Sequence, residues 1–252
     1  MKYAVGIPAR NREPMLNKTL KAILAQSLPP SLVVIIDNND RPNTGEDKAG
    51  DTKVVRVGRR FRTPGPEQGH QTALCIFAAG GYEVGVRWDD DLVPEKGALE
   101  ALVGRIRVEG CVGCGGMYPR PGDVRKSSPL DVPDGNPRHL QFFAWSQELG
   151  GNPRIERRHL YSSFAYDVPA ALRAGGFCVE YSQLGYRGET DFTLRLAQEG
   201  RLLVDTAAVA WHHWADGGTR GIGDEERAAM SAMDNDLFVR RMIEHNIDPE
   251  KW

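Results

Sequence analysis

Short apolar runs alternate with amphipathic segments in the first third of the chain. Residues 3–7 form an apolar run that ends at Pro8, and residues 32–36 form a second continuous apolar run. Between them, residues 16–28 carry leucine and isoleucine at helical spacing. Strands without polar alternation are typical of parallel sheets, which helices cover on both faces. The pattern therefore predicts a β-α-β unit and the beginning of a doubly wound sheet.

The alternation continues along the rest of the chain. Further strands are predicted at residues 53–57, 83–88, 111–117 and 201–204, and further helices at 71–79, 96–108, 168–174, 191–199 and 224–246. Residues 118–139 hold five prolines and no periodicity, which predicts a long loop or an insertion. This order indicates an α/β fold, a single Rossmann-like domain whose open, mixed, mostly parallel sheet is flanked by helices.

Composition and charge narrow the function classes. Hydrophobic residues make up 40% and charged residues 26% of the 252 residues, which excludes a disordered or fibrous chain. The formal charge of -2 excludes a global attraction to nucleic acid or anionic lipid, although Arg56, Arg59, Arg60 and Arg62 form a local basic cluster. Apolar windows stay well below the roughly 18 residues of a membrane span, and the amino terminus lacks a signal-peptide layout. We therefore expect a cytoplasmic protein.

Four cysteines, Cys75, Cys111, Cys114 and Cys178, are too few for a disulfide scaffold of this length. Cys111 and Cys114 form a C-x-x-C motif, but no second pair follows it. We favour a buried strand that runs into a glycine turn over a zinc or redox pair.

Acidic residues follow two of the predicted strands. Asp37 ends one strand, and Asp89, Asp90 and Asp91 end another. Ligands of open α/β sheets bind at the carboxyl ends of strands, so both groups should face one crevice. Three adjacent carboxylates repel one another unless a cation or water compensates, and hard divalent cations prefer oxygen ligands. The pattern fits a metal site that a substrate's phosphates complete, and it also fits a solvated acidic turn.

Four segments resemble, in their order, glycosyltransferase family 2, whose GT-A-fold members use nucleotide-diphosphate sugars. They are GIPARNREPMLNKTLKAILAQSLPPSLVVIIDNND, the acidic triplet with VPEKGALEAL, SSFAYDVPAALRAGGF, and YRGETDFTLRLAQEGRLLVDTAAVAWHHW. The resemblance covers about Lys2 to Trp214. It implies a GT-A domain over residues 1–223, with 1–117 as the nucleotide-sugar-binding half and 118–223 as the acceptor-side half. Residues 224–252 would form a C-terminal helix packed on that domain.

The resemblance places the donor nucleotide at the ends of the first strands. The backbone around Pro8, Ala9 and Arg10 would pack on the nucleobase. Asp37 would accept a hydrogen bond from the base, which suggests a pyrimidine and hence a UDP-sugar. From the residues alone, an Asp37 that caps the turn before Asn38 is an equal alternative.

The acidic triplet takes the place of the family's D-x-D segment. Asp89 would then lie near the ribose, and Asp91 would bind a divalent metal, Mn2+ or Mg2+, that bridges the diphosphate. Asp90 would belong to the donor site. Many family members carry an Arg-Asn pair in the preceding helix, where this chain has PGPEQGHQTALCIF. The donor contacts expected there instead are Gln68, His70 and Gln71.

Two acids near the predicted helix at residues 191–199 resemble the catalytic segment. Glu189 would be the general base that removes the proton of the acceptor hydroxyl. The alternative for Glu189 is a solvent-exposed acid in the first helical turn. Asp191 would cap the amino terminus of this helix or hold an acceptor hydroxyl.

Adjacent histidines follow the apolar run AAVAW, and their imidazoles point to opposite sides if the strand continues. The resemblance makes His212 the metal ligand, with His213 as the alternative. Residues 216–223 resemble a flexible loop that closes over the donor, where Arg220 would meet phosphates. The insertion at residues 118–158, which includes Trp145, would shape the acceptor site.

Together these features predict a metal-dependent, inverting glycosyltransferase that moves a sugar from a nucleotide-diphosphate donor to an acceptor hydroxyl. The acceptor class stays open among small molecules, glycans, proteins and modified nucleic-acid bases. A nucleotidyltransferase is an alternative, but PARNREP lacks the glycine-rich phosphate loop expected of that class. A binding module with decayed catalysis is a second alternative, and it would not need Asp91, Glu189 and His212 together.

Overall fold

The computed structural model describes residues 2–58, 65–123, 154–214 and 222–248. These residues form ten strands and six helices. The strands are β1 (Tyr3–Ala9), β2 (Leu32–Asp37), β3 (Gly45–Ala49), β4 (Thr52–Gly58), β5 (Val84–Arg87), β6 (Leu92–Pro94), β7 (Gly113–Met117), β8 (Arg154–Arg157), β9 (Phe164–Asp167) and β10 (Leu202–His212). The helices are α1 (Glu13–Leu24), α2 (Pro66–Ala79), α3 (Ala98–Glu109), α4 (Val168–Arg173), α5 (Gly188–Leu196) and α6 (Asp224–Glu244).

The strands form one open mixed sheet in the order β3-β4-β2-β1-β5-β9-β7-β10-β6, and β8 pairs with β10. β1 lies parallel to both β2 and β5, and β2 lies parallel to β4. β9 runs antiparallel between β5 and β7, and β10 lies parallel to β7. Most strands therefore run in one direction, and the predicted α/β fold with a mostly parallel open sheet is confirmed.

Helices cover both faces of the sheet. They bury the apolar side chains that β1 and β2 direct to each face. Ile7 on one face packs in a cluster with Leu16 of α1 and Leu99 of α3. Ile36 packs on the other face in a cluster that contains Phe77 of α2. This two-sided burial explains why the sequence of β2 shows no polar alternation.

Helix α2 begins five residues earlier than the periodicity predicts. Pro66 lies at its start, where the fixed φ of proline suits the first helical turn and the missing N–H costs no hydrogen bond. Gly69 allows this early turn to approach β1, because a Cβ atom there would lie 2.8 Å from Cβ of Pro8. The segment from Pro66 to His70 is thus held at the carboxyl end of β1.

Helix α6 packs on α5 through a small apolar cluster. Leu237, Phe238 and Met242 of α6 lie in this cluster with Tyr181 and Leu194. None of the helices among the described residues is both long and apolar enough to cross a membrane.

Several predicted features lie outside the described residues. These are Arg59, Arg60 and Arg62 of the basic cluster, Trp145 with most of the predicted insertion, and Arg220 with most of the glycine-rich loop.

Candidate active site

A cavity of about 770 Å³ opens at the carboxyl ends of β1, β2, β5 and β10. This volume lies in the range of small-molecule sites, and its place at the strand ends is where open α/β sheets bind ligands. Its walls include the segments that follow these strands and the first turns of α2, α5 and α6. The elements of the two halves of the chain therefore meet around one space.

Pro8, Ala9 and Arg10 line the cavity directly at the end of β1. Arg10 donates through Nη1 to Oε1 of Gln183, at 2.8 Å. Gln183 lies in the loop before α5 and also lines the cavity. This hydrogen bond connects the wall at β1 with the wall at α5.

The acidic triplet lines the cavity together with a cation that the sequence analysis did not single out. Arg12 donates to Asp90 and Asp91, and both carboxylates are almost fully buried. Burial raises the pKa of Asp90 to about 7, although the Arg12 charge opposes the rise. Asp90 and Asp91 therefore form a buried, partly neutralised pair, and the solvated-turn alternative does not describe them.

Asp91 and His212 form a pair of potential metal ligands. Oδ1 of Asp91 lies 3.3 Å from Nε2 of His212, and both residues line the cavity. Two ligand atoms about 2.1 Å from one octahedral cation and at a right angle to each other are roughly 3 Å apart, so the pair fits such a cation. Among the described residues, no group of three or more His, Cys, Asp or Glu side chains is placed to hold a metal. The remaining ligands would have to come from phosphate oxygens and water.

His213 contacts Lys18 and does not line the cavity. Its Nε2 lies 3.2 Å from Nζ of Lys18, and its backbone N–H donates to the carbonyl oxygen of Asp91. Burial and the Lys18 charge lower the pKa of His213. Of the two histidines, the geometry places His212 beside Asp91.

Asp89 is held by three neighbours at the cavity wall. Ser162 donates through Oγ to Oδ2 of Asp89, and Nη1 of Arg87 lies 3.4 Å from Oδ1. The Asp89 N–H donates to Oγ of Ser163 at 2.9 Å. Ser162 has φ +60°, a left-handed conformation that non-glycine residues adopt at a cost and often near functional sites. The Asp89 carboxylate thus has a fixed orientation.

Glu189 is half-buried and lines the cavity from the first turn of α5. Arg187, the residue directly before α5, has φ +70°, which turns the chain sharply into the helix. Burial raises the pKa of Glu189, while the charges of Arg87 and Arg187 oppose the rise. A carboxylate with raised basicity in a cavity wall suits a general base, and Glu189 is not a simple solvent-exposed acid.

Asp191 has a different position from the one expected. It is fully buried and pairs with Arg195 at 2.7 Å and with Arg241 of α6 at 2.8 Å. Within the described ranges, Arg187 makes no side-chain capping bond at the start of α5, and the Asp191 carboxylate pairs with arginines instead, which does not support the predicted capping role. Asp191 also does not line the cavity, and its geometry gives no support to a contact with an acceptor hydroxyl.

Asp37 takes the turn-forming alternative. Its Oδ1 accepts from the N–H of Asn39 at 2.9 Å and its Oδ2 from the N–H of Asn43 at 3.0 Å. Asp37 is buried and does not line the cavity, whereas the next residue, Asn38, does. The expected crevice therefore receives Asp89 to Asp91 but not the Asp37 carboxylate.

Gln68 and Gln71 also point away from the cavity, contrary to the expected donor contacts. Gln68 donates to the carbonyl oxygens of Val179 and Tyr181, and Gln71 accepts from the N–H of Phe177. Both amides therefore fasten α2 to the chain that follows α4. The third candidate of that helix, His70, does line the cavity, and the buried imidazole has no hydrogen-bond partner at Nε2 within the described ranges. Burial keeps the pKa of His70 well below its ordinary value, so the imidazole is neutral.

Cys111, just before β7, and Cys114, within it, are both buried, and burial raises the pKa of both thiols. A buried thiol of raised pKa is a poor metal ligand and nucleophile. This agrees with the core-strand interpretation of the C-x-x-C motif.

Comparison with known proteins adds to this geometry. The sequence matches Glycosyl transferase family 2 over residues 4–157, more than half of the chain. No curated protein matches it.

Solved structures resemble the whole described fold at low sequence identity. S. aureus TarS 1-349 in complex with UDP-GlcNAc has a TM-score of 0.66 and 16% identity, over 100% of this chain and 68% of that chain. The mannosyltransferase PcManGT from Pyrobaculum calidifontis, in complex with GDP-Man and Mn2+, has a TM-score of 0.59 and 15% identity, over 96% and 64%. The chain spans only 41% of the longer S. aureus TarS structure. These likenesses show the fold.

Proposed function

The chain belongs to glycosyltransferase family 2, and from this premise we propose that it is a metal-dependent, inverting transferase that uses a nucleotide-diphosphate sugar. The observation that carries the proposal is the convergence of Asp91, His212 and Glu189 on one cavity. Asp91 and His212 lie on the side of the acidic triplet, and Glu189 extends from the wall formed by α5. One cavity thus offers ligands for a metal that would bind the diphosphate, and a carboxylate that could act as a base.

On the donor side, we assign the nucleotide to the wall at the ends of β1 and β2. Pro8 and Ala9 offer an apolar surface to the base, and Asn38 and His70 offer polar groups beside it. Asp89, fixed by Ser162, would accept hydrogen bonds from the ribose. The nucleotide we favour is UDP, the nucleotide of the TarS complex, and GDP of the PcManGT complex is the comparison ligand.

Asp91 and His212 would hold a divalent cation, Mn2+ or Mg2+. When bound, such a cation neutralises negative charge on the diphosphate as it leaves. Arg12 keeps Oδ2 of Asp91 engaged while Oδ1 faces His212, so the carboxylate is already oriented for its role.

Glu189 would act on the acceptor. Its carboxylate takes the proton of the acceptor hydroxyl, the hydroxyl oxygen forms a bond to the anomeric carbon, and the bond from that carbon to the diphosphate oxygen breaks. Inversion follows from this single displacement. The half-buried position raises the basicity of Glu189 and thereby favours the proton transfer.

Ligand-induced stabilisation tests the donor and metal assignments. UDP, GDP and their sugars are added with and without Mn2+, and the melting temperature is measured, since a ligand that binds only the native state raises it. We expect a shift that needs Mn2+ and disappears in Asp91→Asn. Asp47→Asn, an exposed acid on β3, is the matched control and should keep the shift. An absence of any shift with every diphosphate and Mn2+ would contradict the proposal.

A further inference from the structure

One loop of the cavity wall is hydrogen-bonded to α6, a helix outside the residues that match the family. The loop comprises residues 182–187, and residues 183–187 line the cavity. Asp234 of α6 is 2% exposed, and its Oδ1 accepts from the backbone N–H of Ser182 at 2.7 Å. Its Oδ2 accepts from Oγ of Ser182 and from the backbone N–H of Tyr186, each at 2.8 Å. One carboxylate therefore binds both ends of the loop.

Helix α6 also reaches the cavity itself. Arg227 and Ser231 line the cavity, and they precede Asp234 on α6 by about two turns and one turn. Residues at this spacing lie on the same face of a helix. The face of α6 that meets the cavity therefore continues into the residue that binds the loop.

The contact between Asp234 and the loop requires a carboxylate. Each of its three partners donates a hydrogen bond, and in the described part of the chain no cationic side chain pairs with Asp234. A buried charge without a cation depends on such hydrogen bonds. An asparagine in this place would direct its NH2 group at one of the two backbone N–H groups, so it could not accept from both ends of the loop in the same way.

The loop has a backbone conformation that needs support. Gly185 has φ +64° and Arg187 has φ +70°. A left-handed arginine persists where the surrounding contacts fix it. Tyr186, which lies between these two residues, is the one whose N–H donates to Asp234. Helix α5 begins directly afterwards at Gly188, so Asp234 holds the turn through which the chain enters α5.

The start of α5 is also packed tightly on α2. A Cβ atom on Gly188 would lie 2.3 Å from Cγ of Glu67. Glu67 is fully buried in the first turn of α2, and its Oε1 accepts from Nη2 of Arg87 at 3.0 Å. Glu189 follows Gly188 directly. The position of Glu189 at the cavity therefore depends on a chain entry that α2 and α6 hold together.

We propose that Asp234 is a positioning residue of the active site, which holds the backbone of residues 182–187 so that α5 starts at Gly188 and Glu189 lines the cavity. The inference rests on the proposed function of Glu189 as the base. It makes α6 a part of the catalytic unit. Loss of the Asp234 contact should impair the proton transfer, whereas the wall at the ends of β1 and β2 stays intact.

Asp234→Asn tests the proposal through UDP release from a UDP-sugar with Mn2+, at a temperature where the variant is fully folded. A shift of about 1 Å in a catalytic group can slow a reaction about 100-fold, so kcat should fall about 10- to 100-fold, while the KM of the UDP-sugar should change by less than about threefold. A side chain that only stabilises the fold would leave the kcat of folded molecules unchanged. Asp236→Asn, an exposed acid on the same helix, is the matched control and should keep both constants.

Amide hydrogen exchange of the free protein tests the positioning without turnover. Two backbone hydrogen bonds form the entry into α5: the N–H of Gly188 donates to the carbonyl oxygen of Gly185 at 3.0 Å, and the N–H of Asp191 donates to that of Arg187 at 2.8 Å. Both amides should exchange at least about tenfold faster in Asp234→Asn, because the entry opens locally. Amides of β1 and β2 should exchange as in the wild type.

The exchange pattern separates positioning from a local contact. A contact without a positioning role would change exchange only at Ser182 and Tyr186, the two amides that it binds. Faster exchange at the entry into α5 supports the inference even if the wild type releases no UDP, a result that would count against the proposed function alone.

A second variant keeps the test independent of folding. If Asp234→Asn does not fold, Ser182→Ala replaces it and removes the Oγ donor while both backbone N–H donors remain. Its effects on kcat and exchange should have the same direction and be smaller. Unchanged exchange at the entry into α5 would overturn the proposal. With an active wild type, an unchanged kcat or a loss confined to the KM of the UDP-sugar would also overturn it.

Discussion

Arg12 donates through Nη1 to both Asp90 and Asp91, at 2.7 Å to Oδ1 of the first and 3.3 Å to Oδ2 of the second. The guanidinium is itself largely buried, so solvent screens this contact little. Two adjacent carboxylates with one shared cation explain how the chain can bury an acidic pair at the end of β5.

Arg12→Gln should therefore destabilise the protein. Without the guanidinium, two nearly buried carboxylates lose their shared partner, and the unfolding free energy should fall by about 3 kcal/mol. Chemical denaturation at neutral pH measures this loss. Arg12→Lys keeps a positive charge near the two carboxylates and should lose less. A glutamine variant as stable as the wild type would show that Arg12 does not neutralise the pair.

The two adjacent histidines should behave differently toward Mn2+. His212→Ala removes the imidazole beside Asp91, so the Mn2+-dependent part of the stabilisation by UDP should disappear. His213→Ala changes a side chain directed at Lys18 and should keep that part. Thermal shifts with UDP, with and without Mn2+, compare the two variants. The reverse result would assign the ligand to His213.

Glu67 should make stability depend on pH. Its folded pKa of about 7 exceeds its ordinary value of 4.5, so the folded state binds the extra proton over this interval. The contribution of Glu67 to the unfolding free energy should thus fall as pH rises from 4.5 to 7, by up to about 1.4 kcal/mol per pH unit. Glu67→Gln should lack this contribution. Urea denaturation of both proteins across the interval measures the difference, and parallel pH curves would contradict the raised pKa.

Asp191 should matter for stability rather than chemistry. Asp191→Asn leaves Arg195 and Arg241 without their shared carboxylate, which should cost about 3 to 5 kcal/mol of unfolding free energy. Folded molecules of this variant should keep most of their transfer rate, because the side chain does not line the cavity. Transfer assays at a temperature where the variant is fully folded test this. A stable variant without activity would return Asp191 to the catalytic site.

Periodicity alone predicts the central strands and most helices, because these elements bury continuous or helically spaced apolar residues. Strand β3 was not predicted, since GEDKA is an exposed edge strand that its antiparallel pairing with β4 holds in place. Strand β9 was also missed, because its four residues depend on pairing with β5 and β7, which are distant in sequence. Elements that long-range pairing creates leave little local signal.

The same distinction applies to the candidate site. Asp89 to Asp91, Glu189 and His212 were predicted to meet from motif resemblance, and the fold brings them to one cavity. Glu67 and Ser162 were not predicted, because only the fold places them beside Arg87. Arg87 itself left a signal, since a charged residue in the apolar run VGVRW needs a buried partner.

The sequence leaves two roles open for Asp37 and favours donor contacts for Gln68 and Gln71, for a related reason. Their residue types suit ligand binding and backbone hydrogen bonding equally well. Only the three-dimensional structure shows that each of them binds backbone groups here.

Product release from a UDP-sugar is the most direct test of the proposed transfer. The purified protein is incubated with UDP-glucose or UDP-GlcNAc and Mn2+, and water serves as the acceptor of the sugar. The released nucleotide is identified by chromatography. We predict that UDP appears, that its release needs Mn2+, and that Glu189→Gln slows it at least about 100-fold while the thermal shift with UDP persists. Release of pyrophosphate, or an unchanged rate in Glu189→Gln, would contradict a glycosyltransferase in which Glu189 is the base.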